Sequence, residues 1–195
     1  MKKILMPTVV LLLSFMLVAL IPTEAEAGIY EDTLRLHILA ASDSEADQAL
    51  KLKIRDGILE KYGSYLSACE EKAEAEAIAR ELLPEIEDFA EEICQGEGFD
   101  YSVRGEVSVE WYERREYESF TLPCGFYTSL RIMIEGGEGK NWWCVMYPPM
   151  CLDMATATYE DKYSDAEMGL ISPSGYKIKF KLLELGAELC RGFGR

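Results

Sequence analysis

The side chains best suited to chemistry in this chain are one histidine, a handful of hydroxyls and six cysteines. His37 could serve as a general base, with Ser42, Ser44 or Cys144 as nucleophile and Asp43 as orienter. The local sequence supplies no nucleophile elbow, however, and Ser42 and Asp43 fall where a helix should start. A lone histidine beside an arginine on a strand is more often a surface or hydrogen-bonding residue than a catalyst. Gly136-Gly137-Glu138-Gly139-Lys140 superficially resembles a phosphate loop. That motif needs glycine where Ile134 stands and Ser or Thr where Asn141 stands, so the segment reads as a turn. Zinc is disfavoured, because there is no C-x-x-C and a single histidine. No cofactor or metal is expected from these residues.

Two features suit binding or bracing instead. Trp142 and Trp143 are adjacent, so on a strand they face opposite ways, and an outward indole beside Lys140 and Asn141 would suit a contact hot spot. The competing reading packs both indoles inside. Cys144 and Cys151 flank Tyr147-Pro148-Pro149, which must turn. A bridge between them would close a loop of about eight residues and contribute about 2.5 kcal/mol in the chain-entropy model. We expect that bridge, with buried free thiols as the alternative, and no pairing is favoured among Cys69, Cys94, Cys124 and Cys190.

The elements that must position these residues are readable from periodicity. Leu34, Leu36 and Ile38 alternate with Arg35 and His37, which predicts a strand over 33–40. Ser42 and Glu45 fit a capping box, so a helix should follow. Leu50, Ile54, Ile58 and Tyr62 give it a buried stripe, and Gly63 is the expected stop. A second helical stretch runs from about 70 to 94 with Ala75, Ile78, Leu82, Ile86, Phe89 and Ile93 inward. Pro84 should kink or divide it, and Gly96 and Gly98 should end it. Tyr101, Val103, Val107, Val109 and Trp111 predict a half-buried strand with Gly105 as a bulge. Residues 113–118 suit a turn or the end of a hairpin. Strands are expected over 127–134 and 141–147, then a polar loop at 153–175 and a last helix at 176–191. The fold class is α+β: one domain, with helices packed on a mostly antiparallel sheet.

The ends and totals bound the setting. Lys2 and Lys3 precede an uncharged run from Ile4 to Ile21, and Ala25 and Ala27 stand where a signal peptidase reads. Residues 1–27 therefore read as a signal peptide, and 28–195 as an exported domain. The 18-residue apolar run is also just long enough to be kept as an anchor. The net charge is −15, which argues against nucleic acid and anionic lipid as partners. Membrane contact is expected through the signal peptide only.

Arg35-Leu36-His37-Ile38-Leu39-Ala40-Ala41-Ser42-Asp43-Ser44 with Asp47 to Lys53 resembles the N-terminal signature of the stage II sporulation protein R family. So do Leu122 to Tyr127 and the run from Gly137 through Lys140-Asn141-Trp142-Trp143-Cys144 to Cys151. Ala41 and Cys124 depart from the pattern, where Asn and Ala are expected. The resemblance implies a signal, not an enzyme. Such a protein is exported from the forespore into the space between forespore and mother-cell membranes. There it activates a membrane-embedded aspartic protease that removes the pro-sequence of pro-sigma-E. On that reading Arg35, His37, Ser42, Asp43, Lys140, Asn141, Trp142 and Trp143 are expected to form the partner-binding patch. The alternative is an exported hydrolase built on His37.

Overall fold

The computed structural model describes residues 23–117, 120–150 and 162–171, together with 6, 7, 10, 11 and 14. In chain order the elements are α1 (Glu24–Glu31), β1 (Leu34–Leu39), α2 (Glu45–Ser67), α3 (Lys72–Gly96), β2 (Val103–Tyr112), β3 (Arg115–Glu116), β4 (Thr121–Leu122), β5 (Gly125–Ile134), β6 (Asn141–Tyr147) and α4 (Asp165–Ile171). They fall into two compact units, one of residues 30–110 and 126–163, the other of 1–29, 111–125 and 164–195.

The larger unit is built on a four-stranded sheet in the order β2-β5-β1-β6. β1 runs parallel to β5, with Leu36 opposite Leu130, and antiparallel to β6, with Leu36 opposite Cys144. Ser102 faces Glu135, Glu106 faces Arg131 and Glu110 faces Ser129, an opposed sequence order that makes β2 antiparallel to β5. The α+β class and the mostly antiparallel sheet are as expected, with one parallel pair at the centre. Leu34, Leu36 and Ile38 join Leu130, Ile132, Cys144 and the α2 stripe Leu50, Ile54, Ile58 and Tyr62 in one core.

Local expectations are corrected in several places. β1 is buried along its whole length, because strands flank both its sides and side chains cover both its faces. Arg35 is therefore fully buried, with its guanidinium 5.1 Å from the Tyr127 ring centre. α2 does not stop at Gly63 but continues to Ser67, since Tyr62 and Leu66 both still reach the core. The cap is Ser44, whose hydroxyl accepts the Asp47 N–H at 3.1 Å, two residues beyond the expected Ser42 and Glu45. α3 passes through Pro84 as one helix and ends near Gly98, at φ 86°. Its deepest residues are Ala75, Ala79, Ile86, Ala90 and Cys94, while Ile78, Leu82, Phe89 and Ile93 are only partly covered. Small side chains lie deepest because the helix sits close to its neighbours. Gly105 serves the same close approach: a Cβ there would meet Leu83 Cδ1 at 2.6 Å.

In the smaller unit, Arg115 pairs with Leu122 and Glu116 with Thr121, so the polar segment after β2 does enter a hairpin. The expected loop at 153–175 contains α4, opened by a reciprocal cap. Ser164 N–H donates to Glu167 Oε2 at 2.5 Å, and Glu167 N–H to Ser164 Oγ at 3.4 Å. Ala25 and Ala27, read as a peptidase exit, lie within α1, which carries the same kind of cap from Thr23 and Glu26. Among the described residues no helix is long and apolar enough to cross a membrane. Most of the apolar leader, Cys151 and Cys190, residues 153–161 of the loop and the expected helix at 176–191 lie outside the described residues.

Candidate recognition surface

Two turns meet at one end of the sheet. The first, residues 40–44, leads from β1 into α2, and the second, 135–140, joins β5 to β6. Glu135, Gly136 and Gly137 all have positive φ, at 46°, 86° and 69°, so the paired glycines let the second turn close tightly. Gly139 N–H donates to Ala40 C=O at 2.8 Å, and Lys140 N–H donates to Asp43 Oδ1 at 2.8 Å. The Lys140 ammonium also lies 3.9 Å from Asp43, but both side chains are exposed, so this ion pair contributes little. Ser42 donates to Asp47, whose other oxygen accepts from Tyr101 at 3.1 Å. These hydrogen bonds hold the Asp47 carboxyl below its usual range, that from Ser42 most, against the opposing effect of burial.

The sequence-nominated residues divide by depth. Ser42, Asp43, Lys140 and Asn141 are exposed, Trp142 and Trp143 are half-buried, and Arg35 and His37 are buried. Trp142 faces the helices, with Arg55 4.9 Å from its ring centre. Trp143, opposite His37 across the β1–β6 pair, stacks on the imidazole at 5.6 Å. Neither indole is wholly core.

His37 belongs to a polar ladder across the sheet face away from the helices. Its Nδ1–H donates to Glu110 Oε2 at 3.0 Å, and its Nε2 lies 2.9 Å from Asn141 Oδ1. Glu110 also accepts from Ser129 Oγ at 2.6 Å, and Arg131 Nε lies 3.5 Å from it. Burial works against the Glu110 charge, but the hydrogen bonds from His37 and Ser129 and the charges of His37 and Arg131 outweigh it. The carboxyl is lowered to about 2. The ladder thus joins β2, β5, β1 and the first residue of β6. Glu110 and Ser129 were not nominated from sequence; alternation alone marks them as polar positions on a strand, with no sign of whom they meet.

This geometry does not assemble the imagined triad. The Ser42 hydroxyl is spent on Asp47 and the Ser44 hydroxyl on the helix cap. Cys144 pairs with Leu36 on the core face of β1, opposite to the face His37 occupies. Among the described residues no group of three or more His, Cys, Asp or Glu side chains could hold a metal ion. Cys69 and Cys94 are free thiols and Cys124 is buried, whereas Cys144 is disulfide-bonded. Burial pushes the Cys94 thiol up to about 11, which makes it a poor nucleophile.

Residues 30–157, which include both turns, match the family model described as stage II sporulation protein R. A curated relative, stage II sporulation protein R of Bacillus subtilis (strain 168), is 33% identical over 138 residues, covering 70% of this chain. The match spans about 62% of that relative's length. No solved structure matches. The blocks that meet at the two turns lie inside the matched stretch, and the chain belongs to the stage II sporulation protein R family.

Proposed function

We propose that this chain is an exported sporulation signal that activates a membrane-embedded aspartic protease of the mother cell, leading to processing of pro-sigma-E. Family membership supports a role in sporulation. The observation that carries the finer reading is the meeting of two sequence blocks, 40–44 and 139–143, at one rim of the sheet. Asp43, Lys140 and Asn141 are exposed there, although Asp43 also accepts the Lys140 N–H and Asn141 meets His37. His37, being buried, supports this patch through Asn141 instead of touching the partner, and Arg35, beside Tyr127 near the start of β1, lies away from it. On this reading the domain acts between the forespore and mother-cell membranes, reached by way of the leader at 1–27, and needs no cofactor. On this reading Cys151 is the expected disulfide partner of Cys144, a bridge that would brace β6.

The test is reconstitution of the purified exported domain with the membrane protease and its pro-sigma substrate. Single changes Asp43→Ala, Lys140→Ala and Asn141→Ala are expected to leave the circular dichroism unchanged, whereas Trp142→Ala, which also removes packing against the helices, is read only where it folds. Each should lower processing about tenfold, the size of one lost interfacial contact of about 1.4 kcal/mol. Normal processing by all four folded variants would sink the proposal. An exported hydrolase predicts the opposite pattern, with signalling lost in His37→Ala and spared in Lys140→Ala and Trp142→Ala.

A further inference from the structure

The outward groups of this patch keep one arrangement only if the two turns stay in register, and a buried lysine lies at their junction. Lys51, on α2, is 4% exposed. Its ammonium donates to Gln48 Oε1 at 2.6 Å and to the Lys140 carbonyl at 2.9 Å, 89 positions along the chain. Gln48 Nε2 in turn donates to the Ser42 carbonyl at 2.8 Å. The Lys140 N–H is already held by Asp43, so both backbone polar atoms of Lys140 are tied to α2 and the turn before it. Gly139 completes the junction. Its N–H reaches Ala40 C=O, and a Cβ at this position would lie 2.3 Å from the Ser42 carbonyl oxygen.

Burying an ammonium is costly unless its hydrogen bonds are made. Burial lowers the Lys51 pKa, Asp43 acts to raise it, and Lys140 and Arg55 lower it further. Leu50 and Ile54 show that α2 meets its packing needs with apolar side chains. A lysine retained between a helix and a loop carbonyl is better explained by position than by core stability.

We propose that Lys51 is a positioning residue that, with Gly139, clasps the β1–α2 turn to the β5–β6 turn and holds Asp43, Lys140 and Asn141 in the arrangement the partner recognises. The recognition role rests on the function proposed above; the clasp itself rests on the contacts alone. Lys51→Met keeps the aliphatic stem and removes both donated hydrogen bonds. In that variant the amides of Gly139 and Lys140 are expected to exchange about tenfold faster, with cooperative unfolding retained. Processing by the reconstituted protease is expected to fall by about the same factor. If Lys51→Met fails to fold, Gly139→Ala tests the clasp from the loop side, with the same expected exchange and loss of processing. Unchanged exchange at both amides in a folded variant overturns the clasp. Loosened amides with normal processing overturn its part in signalling. Should Asp43→Ala and Trp142→Ala also process normally, the patch itself is the reading that fails.

Discussion

Glu110 shows how much one side chain can couple when its neighbours come from separate strands. Its carboxylate accepts from His37 on β1 and Ser129 on β5 and lies beside Arg131. The folded-state pKa, about 2 against an ordinary value of 4.5, fixes the sign of the linkage. A depressed carboxyl stabilises the fold above its unfolded pKa, and that contribution is lost as pH falls from 4.5 toward about 2. Glu110→Gln should therefore be less stable than the parent at about pH 6, with the gap narrowing by about pH 2.5. Urea midpoints at the two pH values check this. A gap that does not change with pH would place the carboxyl outside the ladder. None of this was legible locally, because His37 and Glu110 are 73 positions apart.

Among the elements, α3 and β2 are coupled in a way that helical and strand periods do not reveal. β2 is an edge strand, and its outward N–H groups would otherwise invite another chain. Glu91 accepts the Val103 N–H at 2.9 Å, Glu87 the Gly105 N–H at 2.6 Å, and Arg80 donates to the Val107 carbonyl at 3.1 Å. The four-residue spacing of Glu87 and Glu91 puts both on one side of α3, matched to alternate residues of the strand. The double variant Glu87→Ala, Glu91→Ala should lose about 1–3 kcal/mol for each N–H left unpaired. It should also self-associate with rising concentration. Sedimentation of parent and variant is the measurement, and a monomeric variant of parental stability would refute the guard. Pro84 predicts a kink or a division of α3, and the helix is undivided there, while Gly105 leaves room for Leu83 beneath the strand.

At the scale of the whole molecule, the proposed signal needs a route out of the cell that makes it. The apolar run with its A-x-A exit predicts cleavage after Ala27, and Ala25 and Ala27 occupy α1 of the uncleaved chain. Cleavage would remove Thr23 and Glu26, which cap that helix. Protein collected outside the producing membrane is expected to begin at Gly28, read by N-terminal sequencing. A chain that begins at Met1 and sediments with membranes would make the leader an anchor. The net charge is −15 with or without residues 1–27, so solubility and the disfavouring of nucleic-acid partners do not depend on the outcome.

The sequence by itself determined the local elements and the family. Period-two and near-four spacings placed β1, β6 and the stripe of α2, and the blocks around His37 and Trp142-Trp143 carried the resemblance. Those signals are legible because hydrophobic alternation and turn residues act between near neighbours. Tertiary structure decided the rest. It put β1 at the centre beside β5, buried Arg35, moved the α2 cap from Ser42 to Ser44, and joined His37 to Glu110 and Lys51 to Lys140. Each depends on which strand lies beside which, and that choice is set by pairing and burial between residues dozens of positions apart, where no local spacing carries information.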